Sequence, residues 1–166
     1  MTKITLKGNE INTTGDVPKV GDKAPDFVLV GEDLKNVTLN DFKDKNKILS
    51  IVPSLDTPVC QSSTKIFNEK ATSVTDTVVL TVSADLPFAM ARFCSSEKLN
   101  NIQSLSMMRS RNFAKDYGVL IEDGPLAGIT ARAVIVIDKN DTVIHSELVK
   151  EIAEEPNYDA ALNCLK

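Results

Sequence analysis

A short turn joins two segments of different character in the first half of the chain, and it constrains the fold more than any other feature. Residues 48–52 are apolar except for one serine, which is typical of a buried strand. Residues 60–71 have the character of a helix. The stretch from Pro53 to Cys60 is therefore predicted to be a strand-to-helix turn.

The residues of this turn predict where the helix begins. Threonine is favoured as an N-cap and proline at the first helical position, so we expect Thr57 to cap the helix and Pro58 to be N1. Cys60 is then N3, where the backbone N–H has no intrahelical partner and the helix dipole favours a negative group. In such settings the pKa of a thiol falls from about 8.5 to roughly 3.5–7.5, which makes Cys60 a candidate thiolate. The alternative is a structural thiol that fills space under the turn, and position alone leaves both interpretations open.

Length and charge exclude several classes of protein. A chain of 166 residues suits one compact domain over 1–166, with 1–20 as a hairpin extension, and needs neither disulfides nor metals to support a core. The net charge is −4 and no long basic block is present, which disfavours binding to nucleic acid or to anionic membranes. The longest apolar runs, of about five residues, are far too short to span a bilayer.

The use of cysteine indicates a reducing compartment. Cys60, Cys94 and Cys164 occur in a chain whose first residues are polar and lack the apolar stretch of a secretion signal. We therefore expect a cytoplasmic location, where a disulfide is more often transient and catalytic than structural. The odd number leaves at least one thiol unpaired.

The order of the predicted elements indicates the fold. Strand candidates at 48–52 and 77–82 are joined by the helix that starts near Cys60, which is the pattern of a right-handed parallel βαβ unit. The other predicted elements are a hairpin within 1–20, strands at 27–30 and 37–39, a helix opened by Pro87 that runs through Cys94, a helix at 110–117, strands at 133–137 and 142–145, and a helix from Pro156. This order predicts an α/β fold of the thioredoxin-like type, with a central mixed β-sheet flanked by helices and an N-terminal β-hairpin.

Cys94 is the second thiol of interest. The residues after Cys60 are Gln61, Ser62 and Ser63, so no Cys-x-x-Cys pair is present and the exchange chemistry of thioredoxins themselves is disfavoured. Two thiols on neighbouring helices form a disulfide only if their Cα atoms come within about 7 Å, which here requires one helix end to unravel. A resolving role for Cys94 thus predicts a conformational step, and the alternative is a buried helix thiol.

The remaining candidates are weaker. Arg132 precedes a central strand and is the one cation expected near the thiol, although the sequence by itself predicts a surface arginine. His145 is expected to be structural or solvent-facing, since one histidine and three dispersed cysteines have no metal-ligand spacing. Cys164 is expected on the flank of the last helix. No glycine-rich phosphate loop is present, so no nucleotide or flavin cofactor is predicted.

Several segments resemble a known family. The pattern Pro53-x-x-x-Thr57-x-x-Cys60 resembles the active-site motif of the peroxiredoxins. More narrowly, the segments 53–60, 85–94, 125–128 and 131–134 are similar to the bacterial thiol peroxidase subfamily. The likeness covers nearly the whole chain, including the N-terminal hairpin.

The resemblance implies a thiol-dependent peroxidase of the atypical two-cysteine type. It implies that Cys60 is the peroxidatic thiolate and forms a sulfenic acid with hydrogen peroxide or an organic hydroperoxide, and that Cys94 resolves it as an intramolecular disulfide which thioredoxin reduces. It further implies that Arg132 and Thr57 assist the reaction, that Pro53 shields the site from water, and that the chain forms a homodimer. Cys164 is no part of the family pattern.

Two other functions remain open at this stage. A redox sensor on the same fold would use the same cysteine pair to change a binding surface, and steady peroxide turnover with thioredoxin would argue against it. A purely structural thioredoxin-like domain would leave all three thiols slow toward peroxide and alkylating agents.

Overall fold

The computed structural model describes residues 1–166 and contains nine strands and four α-helices. The strands are β1 (Thr2–Leu6), β2 (Asn9–Thr13), β3 (Val28–Val30), β4 (Asn36–Thr38), β5 (Asn46–Ile51), β6 (Thr77–Ser83), β7 (Ile102–Ser106), β8 (Ala133–Ile137) and β9 (Val143–Leu148). The helices are α1 (Pro58–Lys70), α2 (Pro87–Ser96), α3 (Asn112–Asp116) and α4 (Tyr158–Asn163). None of the helices combines the length and the apolarity that crossing a bilayer requires.

Seven strands form one mixed sheet, in the order β4-β3-β7-β6-β5-β8-β9. β5 pairs with β6, and β6 with β7, in parallel, while β8 runs antiparallel to both β5 and β9. β1 and β2 form a separate antiparallel hairpin. The predicted βαβ unit, mixed sheet and N-terminal hairpin are confirmed.

Strand β5 lies in the interior of the sheet and is buried on both faces, which explains its apolar run. Ile48 lies in a cluster with Phe67 of α1 and Leu162 of α4. Leu49 lies in the larger cluster on the other face, together with Phe113 of α3. The helices thus cover both faces of the sheet, and α2 packs beside β7.

β7 is the element that sequence analysis missed. Its sequence, Ile-Gln-Ser-Leu-Ser, has only two apolar residues, yet Ser104 and Ser106 are buried. Ser106 Oγ donates to the carbonyl oxygen of Asp85, so the hydrogen-bond acceptor of this buried hydroxyl lies about twenty positions earlier in the chain. No local pattern carries that information.

Candidate active site

The turn between β5 and α1 has the predicted backbone register. Thr57 is the N-cap residue in extended conformation, Pro58 opens the helix, and Cys60 is therefore N3. The Cys60 amide donates to no protein acceptor, as expected for a first-turn N–H. The turn thus presents a free backbone donor at the same residue as the thiol.

The side chain of Thr57 corrects the capping prediction. Thr57 makes no side-chain cap hydrogen bond. Its hydroxyl donates instead to the carbonyl oxygen of Ser54, at 2.9 Å, because the turn folds back and brings that carbonyl within reach. The lone pairs of Thr57 Oγ1 therefore remain available as acceptors.

Cys60 lies in an apolar environment. Its side chain is fully buried in a cluster with Val52, Leu55 and Met90, against which Phe93 also packs. The sulfur makes no hydrogen bond to the protein, and the Cys60 carbonyl oxygen accepts a hydrogen bond of 2.7 Å from Thr64 Oγ1, one turn further along α1. Pro53, at the start of the turn, is buried as well.

Arg132 is buried, so the expectation of a surface arginine is wrong. It is 3% exposed and stands directly before β8, between two fully buried alanines. Nε donates to the carbonyl oxygen of Ile152 at 3.0 Å, while Nη1 is buried with no hydrogen-bond partner. A buried donor without a partner is costly and uncommon, which makes it a candidate ligand-binding group.

Sheet pairing places Arg132 at the end of β5 from which the turn departs. The β5–β8 register ends with Ile51 opposite Ala133, and Thr130 Oγ1 donates to the carbonyl oxygen of Val52 at 2.9 Å. Val52 belongs to the cluster around Cys60. Arg132, directly before β8, and the turn that leads from β5 to Cys60 therefore lie at the same end of two neighbouring strands.

Tyr158 of α4 has a pKa that the charge of Arg132 affects in a small way. Burial raises the pKa of Tyr158 to about 12, and the positive charge of Arg132 acts in the opposite direction. The ring of Tyr158 packs edge-on against Phe67, with centroids 5.2 Å apart. Phe67 lies two turns after Cys60 on the buried face of α1. The last helix therefore packs against α1 through this aromatic pair.

Cys94 lies on the buried face of α2, one turn after Met90. It is 7% exposed and is unpaired, as are the other two cysteines. Burial, with a smaller effect from the carboxylate of Glu32, raises the pKa of the Cys94 thiol to about 11. With this pKa the Cys94 thiol is neutral near pH 7. Cys94 is absent from the cluster that contains Cys60 and Met90, so the second thiol is adjacent to the site rather than within it.

The redoxin family model matches residues 19–162 of the chain. The chain belongs to the redoxin family. It is 53% identical over 164 residues to thiol peroxidases from the Copenhageni and Lai serovars of Leptospira interrogans, covering 98% of this chain and 96% of theirs.

Two solved structures of redoxins are similar over almost their full length. A peroxiredoxin-like protein from Aquifex aeolicus has a TM-score of 0.93 and 46% identity, covering 99% of this chain and 96% of that one. A thiol peroxidase from Chromobacterium violaceum has a TM-score of 0.92 and 28% identity, with the same coverage. The predicted relationship to thiol peroxidases is confirmed, and this redoxin is a peroxiredoxin-type, thiol-dependent peroxidase.

Asp85 is a residue of this redoxin site that sequence analysis did not single out. Its carboxylate accepts hydrogen bonds from Ser54 Oγ, from the amide of Leu55 and from Ser83 Oγ, at 2.7, 2.7 and 2.8 Å. Asp85 follows β6, so it connects the end of one parallel strand to the turn that follows its neighbour. An acidic residue just after a buried strand was the available signal, but its partners in the turn, Ser54 and Leu55, lie about thirty residues away.

A cleft of about 530 Å³ separates the turn from α2 in this redoxin. Its lining includes Leu55, Asp85, Arg92 and Phe93. Cys60, Thr57 and Arg132 are not among the lining residues, so the Cys60 thiol lies behind the cleft wall that Leu55 forms.

The remaining candidates lie elsewhere in the redoxin fold. His145 is half-buried in β9, its Nε2 has no partner, and burial lowers its pKa. Cys164 is exposed at the end of α4, where its thiol donates to the carbonyl oxygen of Ala161 at 2.9 Å. No three of the His, Cys, Asp and Glu side chains come together as a metal site.

Proposed function

We propose that this peroxidase uses Cys60 as its peroxidatic thiol, with Arg132, Thr57 and Pro53 as the surrounding active-site residues. The observation that carries the proposal is a buried guanidinium whose Nη1 has no partner, directly before β8, at the same end of the sheet as the turn that places the Cys60 thiol at N3 of α1. A helix start and a nearby cation both stabilise a thiolate.

The proposed first step is a two-electron oxidation of sulfur. The Cys60 thiolate attacks one peroxide oxygen, the O–O bond breaks, and Cys60 becomes a sulfenic acid. The leaving oxygen takes up a proton and departs as water or an alcohol. Because negative charge develops on that oxygen, donors aimed at it lower the barrier. Arg132 Nη1 and the Cys60 amide are available for this role, since neither has a protein acceptor.

Thr57 and Pro53 have supporting parts in this proposal. Since the Thr57 hydroxyl donates to Ser54, its lone pairs can accept the O–H of the incoming peroxide and so orient it. Pro53 is buried next to the apolar cluster and excludes water from the thiolate. Exclusion of water strengthens each electrostatic contact at the site.

We propose Cys94 as the resolving thiol. Its sulfur attacks the Cys60 sulfenic acid, an S–S bond forms, and water leaves with the proton of the Cys94 thiol. The burial of Cys94 and its raised pKa support a prior opening of α2, because a neutral, covered thiol is a poor nucleophile. Thioredoxin as reductant, a homodimeric assembly and a cytoplasmic location belong to the same proposal.

The test is the intact mass and a non-reducing peptide map of the reduced protein after one equivalent of hydrogen peroxide. Loss of two hydrogens with a Cys60–Cys94 cross-link is the expected result, and C94S should stop at the sulfenic acid. C164S is the matched control, since Cys164 is exposed at the end of α4. A bridge through Cys164, or sustained turnover by C60S, would overturn the proposal. Multiple turnovers with thioredoxin would also argue against a sensor that reacts only once.

A further inference from the structure

Glu151 holds the N-terminal hairpin to the segment that follows β9. Its carboxylate accepts hydrogen bonds from Thr5 Oγ1 at 2.6 Å, from the amides of Lys7 and Gly8 at 3.0 and 3.1 Å, and from the amide of Ala153 at 3.4 Å. These bonds hold the pKa of Glu151 at about 2, the largest effect being that of the Thr5 hydroxyl. The carboxylate is therefore ionised, and this connection is intact, throughout the pH range of a peroxidase assay.

The backbone of β1 continues the same attachment. The Thr5 amide donates to the carbonyl oxygen of Lys150 at 2.7 Å, and the Ile152 amide donates to the carbonyl oxygen of Thr5 at 3.0 Å. The side chain of Ile152 is 4% exposed and lies in one buried cluster with Ile4 and Ile11 of the hairpin. The hairpin thus fixes both the backbone and the side chain of Ile152.

The same segment holds Arg132 at two points. The amide of Val149 donates to the Arg132 carbonyl oxygen at 2.9 Å, and Arg132 Nε donates to the Ile152 carbonyl oxygen at 3.0 Å. The contact with Ile152 is the one hydrogen bond that the guanidinium makes to the protein. An arginine side chain has many rotamers, so a single fixed carbonyl decides where its other nitrogens point.

We infer that the N-terminal hairpin positions Arg132 for catalysis, through Glu151 and the carbonyl oxygen of Ile152. Through the contacts of Thr5 with Glu151 and Ile152, the hairpin then contributes to the position of a catalytic group and is more than an appendage to the fold. Glu151 is a positioning residue, because it acts on the site only through Ile152 and Arg132. The inference rests on the proposed role of Arg132 in the oxidation of Cys60.

The test compares E151A and E151Q with the unsubstituted protein, in the presence of Arg132 and in an R132K background. The readout is the second-order rate constant for Cys60 sulfenic acid formation with hydrogen peroxide, followed by quenched-flow intact mass because the chain has no tryptophan. Lysine keeps a charge at position 132 but has no Nε, so R132K removes the contact with Ile152. E10Q is the matched control, since Glu10 lies on the same hairpin but pairs only with Lys3.

We expect E151A to slow the reaction by roughly 10- to 100-fold, the effect of misplacing a catalytic group by about 1 Å. E151Q, which keeps one acceptor oxygen and is the milder change should E151A fold poorly, should slow it less. E10Q should leave the rate unchanged. In the R132K background the Glu151 substitutions should have little further effect, because the residue through which they act is already displaced.

The other outcomes distinguish a failure of the inference about the hairpin from a failure of the proposed role of Arg132. If R132K is slow while E151A and E151Q retain the full rate, the role of Arg132 stands and the inference about the hairpin is wrong. Equal slowing by E151A in both backgrounds also overturns it, since Glu151 would then act independently of Arg132. If R132K itself reacts at the unsubstituted rate, the proposed role of Arg132 fails and the inference fails with it.

Discussion

The carboxylate of Asp85 accepts a hydrogen bond of 2.7 Å from the amide of Leu55, thirty residues earlier in the chain. Leu55 packs in the cluster around Cys60, and Asp85 stands two residues before the start of α2, the helix that carries Cys94. One carboxylate therefore connects the turn before Cys60 to the residues that lead into α2.

Removal of this carboxylate should loosen the turn. D85A leaves the Leu55 amide and the Ser54 hydroxyl without their acceptor, at a cost of about 1–3 kcal/mol in the free energy of unfolding. We also expect slower oxidation of Cys60, because the turn that holds it becomes mobile. Urea unfolding and the rate constant with hydrogen peroxide measure the two effects.

S83A is the control for this prediction. It removes one hydrogen bond to the same carboxylate but none of those from the turn. We expect S83A to retain the rate of Cys60 oxidation. A slow S83A variant beside a fast D85A variant would contradict the assignment.

Substitutions of Thr57 should distinguish the effect of its hydroxyl on the rate of Cys60 oxidation from the effect of its branched shape. T57V keeps the branched side chain but loses the bond to the Ser54 carbonyl and the acceptor proposed for the peroxide, so we expect oxidation of Cys60 to slow by roughly 10- to 100-fold. T57S keeps the hydroxyl and should remain within a few-fold of the unsubstituted rate. Equal rates for T57V and T57S would show that the Thr57 hydroxyl has no role in the oxidation of Cys60.

The raised pKa of Cys94 predicts how stability depends on pH. The thiol has a pKa of about 11 in the folded protein against 9.0 as the reference value, so the unfolded chain loses this proton first as pH rises. The free energy of unfolding should therefore fall between about pH 9 and 11, and this contribution is fully present below pH 9. Urea unfolding at intervals across this range measures it, and C94S should show a smaller fall.

Glu32 offers an independent test of the same pKa. E32Q removes the negative charge that opposes the Cys94 thiolate, so the pKa of Cys94 should fall, although burial, the larger cause, remains. The alkylation of Cys94 at a fixed alkaline pH should then be faster than in the unsubstituted protein. E97Q, at the end of α2, is the matched control because Glu97 is paired with Lys65. Faster alkylation in E97Q but not in E32Q would contradict the assigned cause.

An ion pair between a buried lysine and a partly exposed aspartate at the start of β5 should contribute stability without affecting catalysis. The Lys47 side chain is fully buried and its Nζ lies 2.8 Å from Asp141, whose side chain is 37% exposed. D141N leaves the buried ammonium without its counter-ion and should cost on the order of 3 kcal/mol, while asparagine still tolerates the positive φ of position 141. K47M leaves only a carboxylate that water can reach, so it should cost less.

The measurement is urea unfolding of both variants, with the rate of Cys60 oxidation as a second readout. Lys47 lies at the opposite end of β5 from the turn, so both variants should keep the unsubstituted rate constant in the folded state. A larger loss of stability in K47M than in D141N would contradict the argument from burial.

The sequence predicted those features that depend on neighbours in the chain. The start of α1 follows from Pro58 and the preceding threonine, the strand before it follows from a continuous apolar run, and the position of Cys60 at N3 follows from both. Strand β8 was predicted with its observed bounds, because an unbroken run of Ala, Val and Ile suits a strand buried on both faces. These patterns extend over only a few residues, and local propensity and capping act over that distance.

The contacts that complete the site were decided by the tertiary structure. Arg132 Nε donates to Ile152, twenty residues later in the chain, and Asp85 meets the turn because β5 and β6 are neighbours in the sheet. Glu151 meets Thr5 across nearly the whole length of the chain. Thr57 donates to Ser54 rather than capping α1, because the path of the folded turn decides which acceptor its hydroxyl reaches. A hydrogen bond depends on distances of a few tenths of an ångström, and only the order and pairing of the strands bring such distant residues that close.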